Sequence, residues 1–163
     1  VYGCLSLDYL AMHLAAESDL AGGLVACGVL SYEPAVHSDD LAEAVRLQSS
    51  IRRIFAAARI GGAPPSRDRE TLNSYAADEP PVLVLRPDGS AASSATDPIR
   101  AALASIARDA IETAALHAPD LRICEGENCG RMFFDRSRAR ARRWCSMQQC
   151  GNRAKVAAFR RRR

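Results

Sequence analysis

Four of the chain's six cysteines gather towards one end, as Cys124, Cys129, Cys145 and Cys150, in the spacing C-x4-C-x15-C-x4-C. Two short cysteine pairs separated by a linker of this length can place four thiolates around one tetrahedral zinc ion, as in zinc ribbons and related modules. Four thiolates close the coordination sphere. The expected metal is therefore a single structural Zn2+ per chain, with no open position for water and no Lewis-acid chemistry. A disulfide framework is the competing use, and it fits poorly. Arginine-rich sequence without a signal-type opening belongs in a reducing, cytoplasmic setting. Cys4 and Cys27 have no such partners and read as small buried hydrophobes.

The metal-ligating residues lie in the most basic part of the chain. Residues 122–163 hold thirteen basic residues against three acids, and residues 1–121 hold nine arginines against sixteen acids. The overall charge of +3 thus averages an acidic body and a basic arm. Such asymmetry points either to a polyanion, with DNA the expected partner and RNA the second option, or to a solvated, solubilising tail. Arg136, Arg138, Arg140 and Arg142 alternate with smaller residues, and in an extended chain they would form one ridge of charge beside Arg143. Asn152 and Arg153 are candidates for base edges, since asparagine pairs bidentately with adenine and arginine with guanine. Beside the metal, Asn152 could equally bond a ligand loop or cap a helix. Trp144, next to a ligand, and His117 read as packing residues.

Elements must hold these groups in place. The run Met132-Phe133-Phe134 suits a small β-hairpin beneath the metal, and Trp144 to Cys150 a second metal-binding turn. From the fourth cysteine a helix-prone stretch continues, with Val156 and Phe159 expected inward and Arg153, Lys155, Arg160 and Arg162 outward. Knuckle, hairpin, second turn and a helix starting at the last ligand is the order of a treble-clef finger.

Upstream, the apolar periodicity predicts helices over Leu5–Glu17 and Asp19–Leu30, and another opening at Ser38-Asp39-Asp40. The latter carries the stripe Leu41, Val45, Gln48, Ile51, Phe55 and Ala58 and stops at Gly61-Gly62. Ser66 opens a further helix with Leu72 and Tyr75. Val82–Leu85 is a β-prone run, ended by the turn signal Arg86-Pro87-Asp88-Gly89, with residues 90–94 a weak return strand. Asp97-Pro98 starts a helix whose apolar face runs through Ile99, Leu103, Ile106, Ala110 and Thr113 to His117. The expected fold is mainly α with a small β-hairpin: a helical N-terminal domain over residues 1–120, then a treble-clef-like four-cysteine finger over residues 121–163.

No nucleophile elbow, glycine-rich phosphate loop or H-E-x-x-H motif occurs, so an enzyme is not expected. The longest stretch without charge, Leu20 to Tyr32, falls short of the ~20 apolar residues that a spanning helix needs.

The run Arg143-Trp144-Cys145-Ser146-Met147, followed by Cys150-Gly151-Asn152-Arg153-Ala154-Lys155, resembles the CGNR zinc finger of bacterial proteins. Cys124 and Cys129 with Phe133, Asp135, Arg136 and Ser137 are similar to its first half. The rest of the chain resembles the ABATE domain that precedes this finger. Its opening, Gly3-Cys4-Leu5-Ser6-Leu7-Asp8-Tyr9, is similar to that domain's start, although Ala11-Met12 stand where the family usually has Asn-Thr. The resemblance implies a stress-linked transcription regulator that binds DNA through the finger. Its N-terminal domain would serve sensing or dimerisation, for an effector the sequence does not name. The alternative is a structural zinc module that mediates protein–protein or RNA interaction.

Overall fold

The computed structural model describes residues 4–161. Gly3 of the opening motif and Arg162, expected to face outward, lie outside the described residues. The helices are α1 (Leu5–Leu10), α2 (Glu17–Ala26), α3 (Ser38–Arg59), α4 (Ser66–Ala76), α5 (Pro98–Leu116) and α6 (Asn152–Arg161). Between α4 and α5 the strands β1 (Val82–Leu85) and β2 (Ala91–Ser94) form one antiparallel hairpin, and β3 (Leu121–Ile123) and β4 (Met132–Phe134) form another. The fold is mainly helical with a four-cysteine finger at its end, as the sequence implies.

The body is built on α3 and α5. Leu47, Ile51 and Phe55 of the first and Leu103, Ile106 and Ala110 of the second are fully buried, and Tyr9, Leu72 and Tyr75 close around them. On α5 the expected face is the buried one, and the Asp97 carboxylate accepts from the Arg100 N–H at 3.0 Å to cap the helix. On α3 the buried face is rotated slightly from the predicted stripe. Ala44 and Leu47 go inward while Val45 is 39% exposed. Gln48 sits at the rim because it has other work, described next.

The first helix is shorter than the periodicity predicts, ending at Leu10 instead of Glu17. Its last carbonyls are taken by α3: Gln48 Nε2 donates to the carbonyls of Tyr9 (3.0 Å) and Met12 (3.1 Å), and Arg52 donates to that of Leu10 (3.2 Å). With these acceptors satisfied by side chains, a following helical turn is not needed to pair them. Asp19 then gathers the N–H groups of Ala15 and Ala16, which starts α2 at Glu17.

In the β1–β2 hairpin Val82 pairs with Ser94 and Leu85 with Ala91. The turn closes through Gly89 N–H to the Arg86 carbonyl (2.9 Å), and Gly89 has the positive φ of +80° that such a turn demands. The second hairpin runs Leu121 against Phe134 and Ile123 against Met132. Here β4 finds its partner before the first cysteine pair, so the Cys124–Cys129 knuckle is the loop that joins the strands. One face of this hairpin, Leu121 and Met132, belongs to the body's core, while Phe133 joins Cys124 and Cys150 in a second, small cluster. Among the described residues no helix is long and apolar enough to cross a membrane.

Candidate metal centre and basic face

The four cysteine sulfurs converge: one Sγ from each of Cys124, Cys129, Cys145 and Cys150 lies within 4.8 Å of all the others. The Cys129–Cys145 and Cys145–Cys150 sulfur pairs are 3.8 Å apart. A tetrahedron with Zn–S bonds of about 2.3 Å has edges of about 3.8 Å, so the donor set fits one structural Zn2+. The thiolates carry the hydrogen bonds that a tetrathiolate site needs. The N–H groups of Gly126 (3.4 Å) and Cys145 (3.3 Å) donate to Cys124, and the Arg153 guanidinium donates to Cys150 (3.3 Å). Burial opposes ionisation of Cys124 and is the largest influence on it, yet those N–H groups bring its thiol down to about 7. Cys145 is pushed the other way, to about 12, by burial and by its three thiol neighbours.

Two residues outside the predicted set build this centre. A Cβ on Gly126 would lie 3.0 Å from Cys150 Cβ and 3.3 Å from Cys124 Sγ, so a larger residue there would press on two of the ligands. A glycine two residues after the first ligand was the available signal. The second is Asp135, which has no exposed surface. Its carboxylate accepts from Ser137 Oγ (2.6 Å), Ser137 N–H (3.0 Å) and Arg142 N–H (2.8 Å). These bonds, led by the Ser137 hydroxyl, hold its pKa below the usual carboxylate range despite burial. The spacing D-R-S, with a serine two residues after an aspartate, is an Asx-type turn signal that could have marked it.

Asp135 also decides the shape of the arginine segment. The chain turns at Ser137–Arg140, where the Arg140 N–H donates to the Ser137 carbonyl (3.0 Å) and Arg140 has a φ of +46°. The extended ridge anticipated from alternation is therefore replaced by a clamped loop. Its guanidinium groups fan out. Arg136 lies over Phe134 at 5.2 Å, and Arg142 lies over Phe133 at 5.1 Å while donating to the Cys145 carbonyl. Arg140 pairs with Asp120 (3.1 Å), and Arg143 with Glu125 (2.6 Å) beside the Trp144 ring. Arg138 is exposed and has no partner among the described residues.

The helix α6 follows a π-turn at Met147–Gly151 that carries the last ligand. Asn152 Nδ2 donates to the Gln148 carbonyl (3.2 Å), the ligand-loop role that its position allowed, and Arg153 faces the Cys150 sulfur. Lys155 and Arg160 are exposed. Val156 and Phe159, expected inward, are 50% and 59% exposed instead. The small cluster beside the metal is built from Cys124, Phe133 and Cys150 with Trp144 against them, and neither Val156 nor Phe159 belongs to it. Val156 lies with Gln149, Asn152, Arg153 and Arg160 along a shallow groove of about 740 Å³ on one side of α6. His117 stands apart from the cysteines; expected to pack on the apolar stripe, it lies just past the end of α5 and is exposed, its ring edge-on to Phe134 at 5.9 Å.

Body and finger meet at a polar cleft of about 400 Å³. Ala11 and Met12, at the positions where Asn-Thr is usual, line it opposite Cys129 and Cys145, with Arg52 and Arg153 at its sides.

A helical body whose core extends into a four-cysteine finger defines a zinc-finger protein. Comparison with known families gives two matches: residues 7–116 match ABATE, described as a putative stress-induced transcription regulator, and residues 121–163 match the CGNR zinc finger. The first covers well over half of the sequence, and the chain belongs to the ABATE family, with a CGNR zinc finger at its C-terminal end. No curated protein matches it.

Proposed function

We propose that the chain is a DNA-binding transcription regulator whose finger grips the phosphate backbone. The observation that carries this reading is that several of the finger's cations stand exposed without a carboxylate partner. Among its described residues only Arg140 and Arg143 are paired with carboxylates. Arg136, Arg138, Lys155 and Arg160 stand exposed on the same module, and the tetrathiolate site's formal negative charge is met locally by Arg153. Phosphates would be held by the arginine loop and α6, whereas Asn152 and Arg153, already bonded beside the metal, would position the helix and reach bases only after rearranging. Zinc supplies rigidity here: four thiolates fill its shell, and no catalytic role is proposed. The body, acidic overall, would sense or dimerise.

The test is binding of the zinc-loaded chain to duplex DNA, followed by fluorescence anisotropy across a salt series. Four to six phosphate contacts would give a log–log slope of about −4 to −5. Absence of binding at low salt would overturn the reading. Preference for structured RNA in competition would redirect it to the RNA alternative.

A further inference from the structure

All four side chains of β1 point into solvent: Val82 is 64% exposed, Leu83 76%, Val84 43% and Leu85 77%. A lone two-stranded hairpin is marginal in water, and an open apolar edge strand is a template for another strand. The two edges of this hairpin are unequal. That of β2 is covered, because Ser93 N–H donates to Ser31 Oγ (3.3 Å) and Ser31 N–H donates to Ser93 Oγ (3.0 Å). No described residue bonds to the outer edge of β1.

The pairing register fixes which groups that edge offers. The Arg86 N–H donates to the Ser90 carbonyl (2.8 Å), and Val84 and Val82 pair with Ala92 and Ser94. Antiparallel ladders alternate, so Val82 and Val84 spend their backbone groups on β2, while Leu83 and Leu85 turn theirs outward. Ser93, opposite Leu83, turns its N–H outward to Ser31 as this alternation requires.

We propose that β1 pairs antiparallel with β1 of a second copy across a twofold axis at Val84, making one four-stranded sheet. Leu83 of each copy then faces Leu85 of the other, and this register satisfies every outward N–H and carbonyl of both leucines. The next opposed positions with outward-turned backbone are Pro81 and Pro87, neither of which has an N–H, so the ladder stops there. In this register the exposed Arg86 of one copy lies opposite Val82 of the other, once at each end. Edge-to-edge pairing leaves both sheet faces open, so it buries less than the ~1,000 Å² of a stable specific interface. A weak, concentration-dependent dimer follows.

Sedimentation of the full zinc-loaded chain should show monomer–dimer exchange between about 1 μM and about 1 mM. Leu85→Lys puts like charges into the joint, and Leu83→Pro removes an outward N–H that the hairpin itself does not use. Each should weaken dimerisation at least ~10-fold with helical content and zinc retention unchanged. Val84→Cys, at a close non-hydrogen-bonded pair, should cross-link copies under mild oxidation, and Val82→Cys should not. A monomer throughout that range overturns the proposal. So does a dimer indifferent to both edge substitutions, or equal cross-linking at the two positions. None of these results bears on DNA binding by the finger.

Discussion

Asp135→Asn should loosen the arginine loop of the finger without touching a zinc ligand. The carboxylate has no exposed surface and accepts from the Ser137 hydroxyl at 2.6 Å and N–H at 3.0 Å, and from the Arg142 N–H at 2.8 Å. An asparagine oxygen can keep the two Ser137 bonds. Its amide nitrogen must then face the Arg142 N–H, donor against donor, and that N–H is left unsatisfied. Loss of one charge-assisted bond and one orphaned buried donor together cost about 2–4 kcal/mol, or ~30- to 1,000-fold in the equilibrium for loop closure. The assay is zinc transfer to a coloured chelator, with amide exchange at Arg142 as the local readout. Faster transfer and loss of protection at Arg142, with α3 and α5 still protected, is the expected pattern. Wild-type zinc retention and unchanged protection at Arg142 would refute the reasoning.

Gly126→Ala should weaken zinc binding, because its Cβ would sit 3.0 Å from Cys150 Cβ and 3.3 Å from Cys124 Sγ; a competition titration with a chelator measures the loss. Asp68→Asn breaks a bidentate ion pair with Arg53 (2.7 and 2.8 Å) but keeps an acceptor for Ser50. Since the Arg53 side chain is 57% exposed, the expected cost is about 1–2 kcal/mol, a few degrees in melting temperature. The Arg53 hydrogen bonds hold the Asp68 carboxyl below its usual range against the opposing effect of burial. This pair therefore contributes fully above the unfolded carboxyl pKa of about 4, and its contribution disappears as pH falls through the lower folded value. Acid titration of wild type and Asp68→Asn should thus show their stabilities converging at low pH. Zinc removal should expose residues near Arg143 and α6 to protease while the body stays resistant, since the finger's own apolar cluster rests on Cys124, Phe133 and Cys150. Loss of the whole helical signal on chelation would contradict that.

Much of this arrangement is legible in the sequence where one local rule acts alone. Cysteine spacing located the metal centre, Asp97-Pro98 located the start of α5, and Arg86 to Gly89 located the first turn. Where long-range partners decide, periodicity misleads. The early end of α1 depends on Gln48 and Arg52, some forty residues away. The arginine segment looks extended by alternation, yet the buried Asp135 folds it into a clamp. Val156 and Phe159 have helical spacing suited to packing, but neither belongs to the cluster of Phe133 and Trp144 beside the metal. The partner of β4 lies before the knuckle, which the β-prone run alone does not identify.

The central claim is that the exposed cations of a zinc-held finger bind phosphate. It is tested most directly by the salt dependence of duplex binding for the zinc-loaded wild type and for the double variant Arg138→Ala, Lys155→Ala. Neither residue packs against the metal cluster, so zinc retention should be unchanged. The variant's log–log slope should be shallower by about 2, with affinity lost evenly across sequences. Identical slopes for the two proteins, or wild-type binding indifferent to salt, would contradict the account.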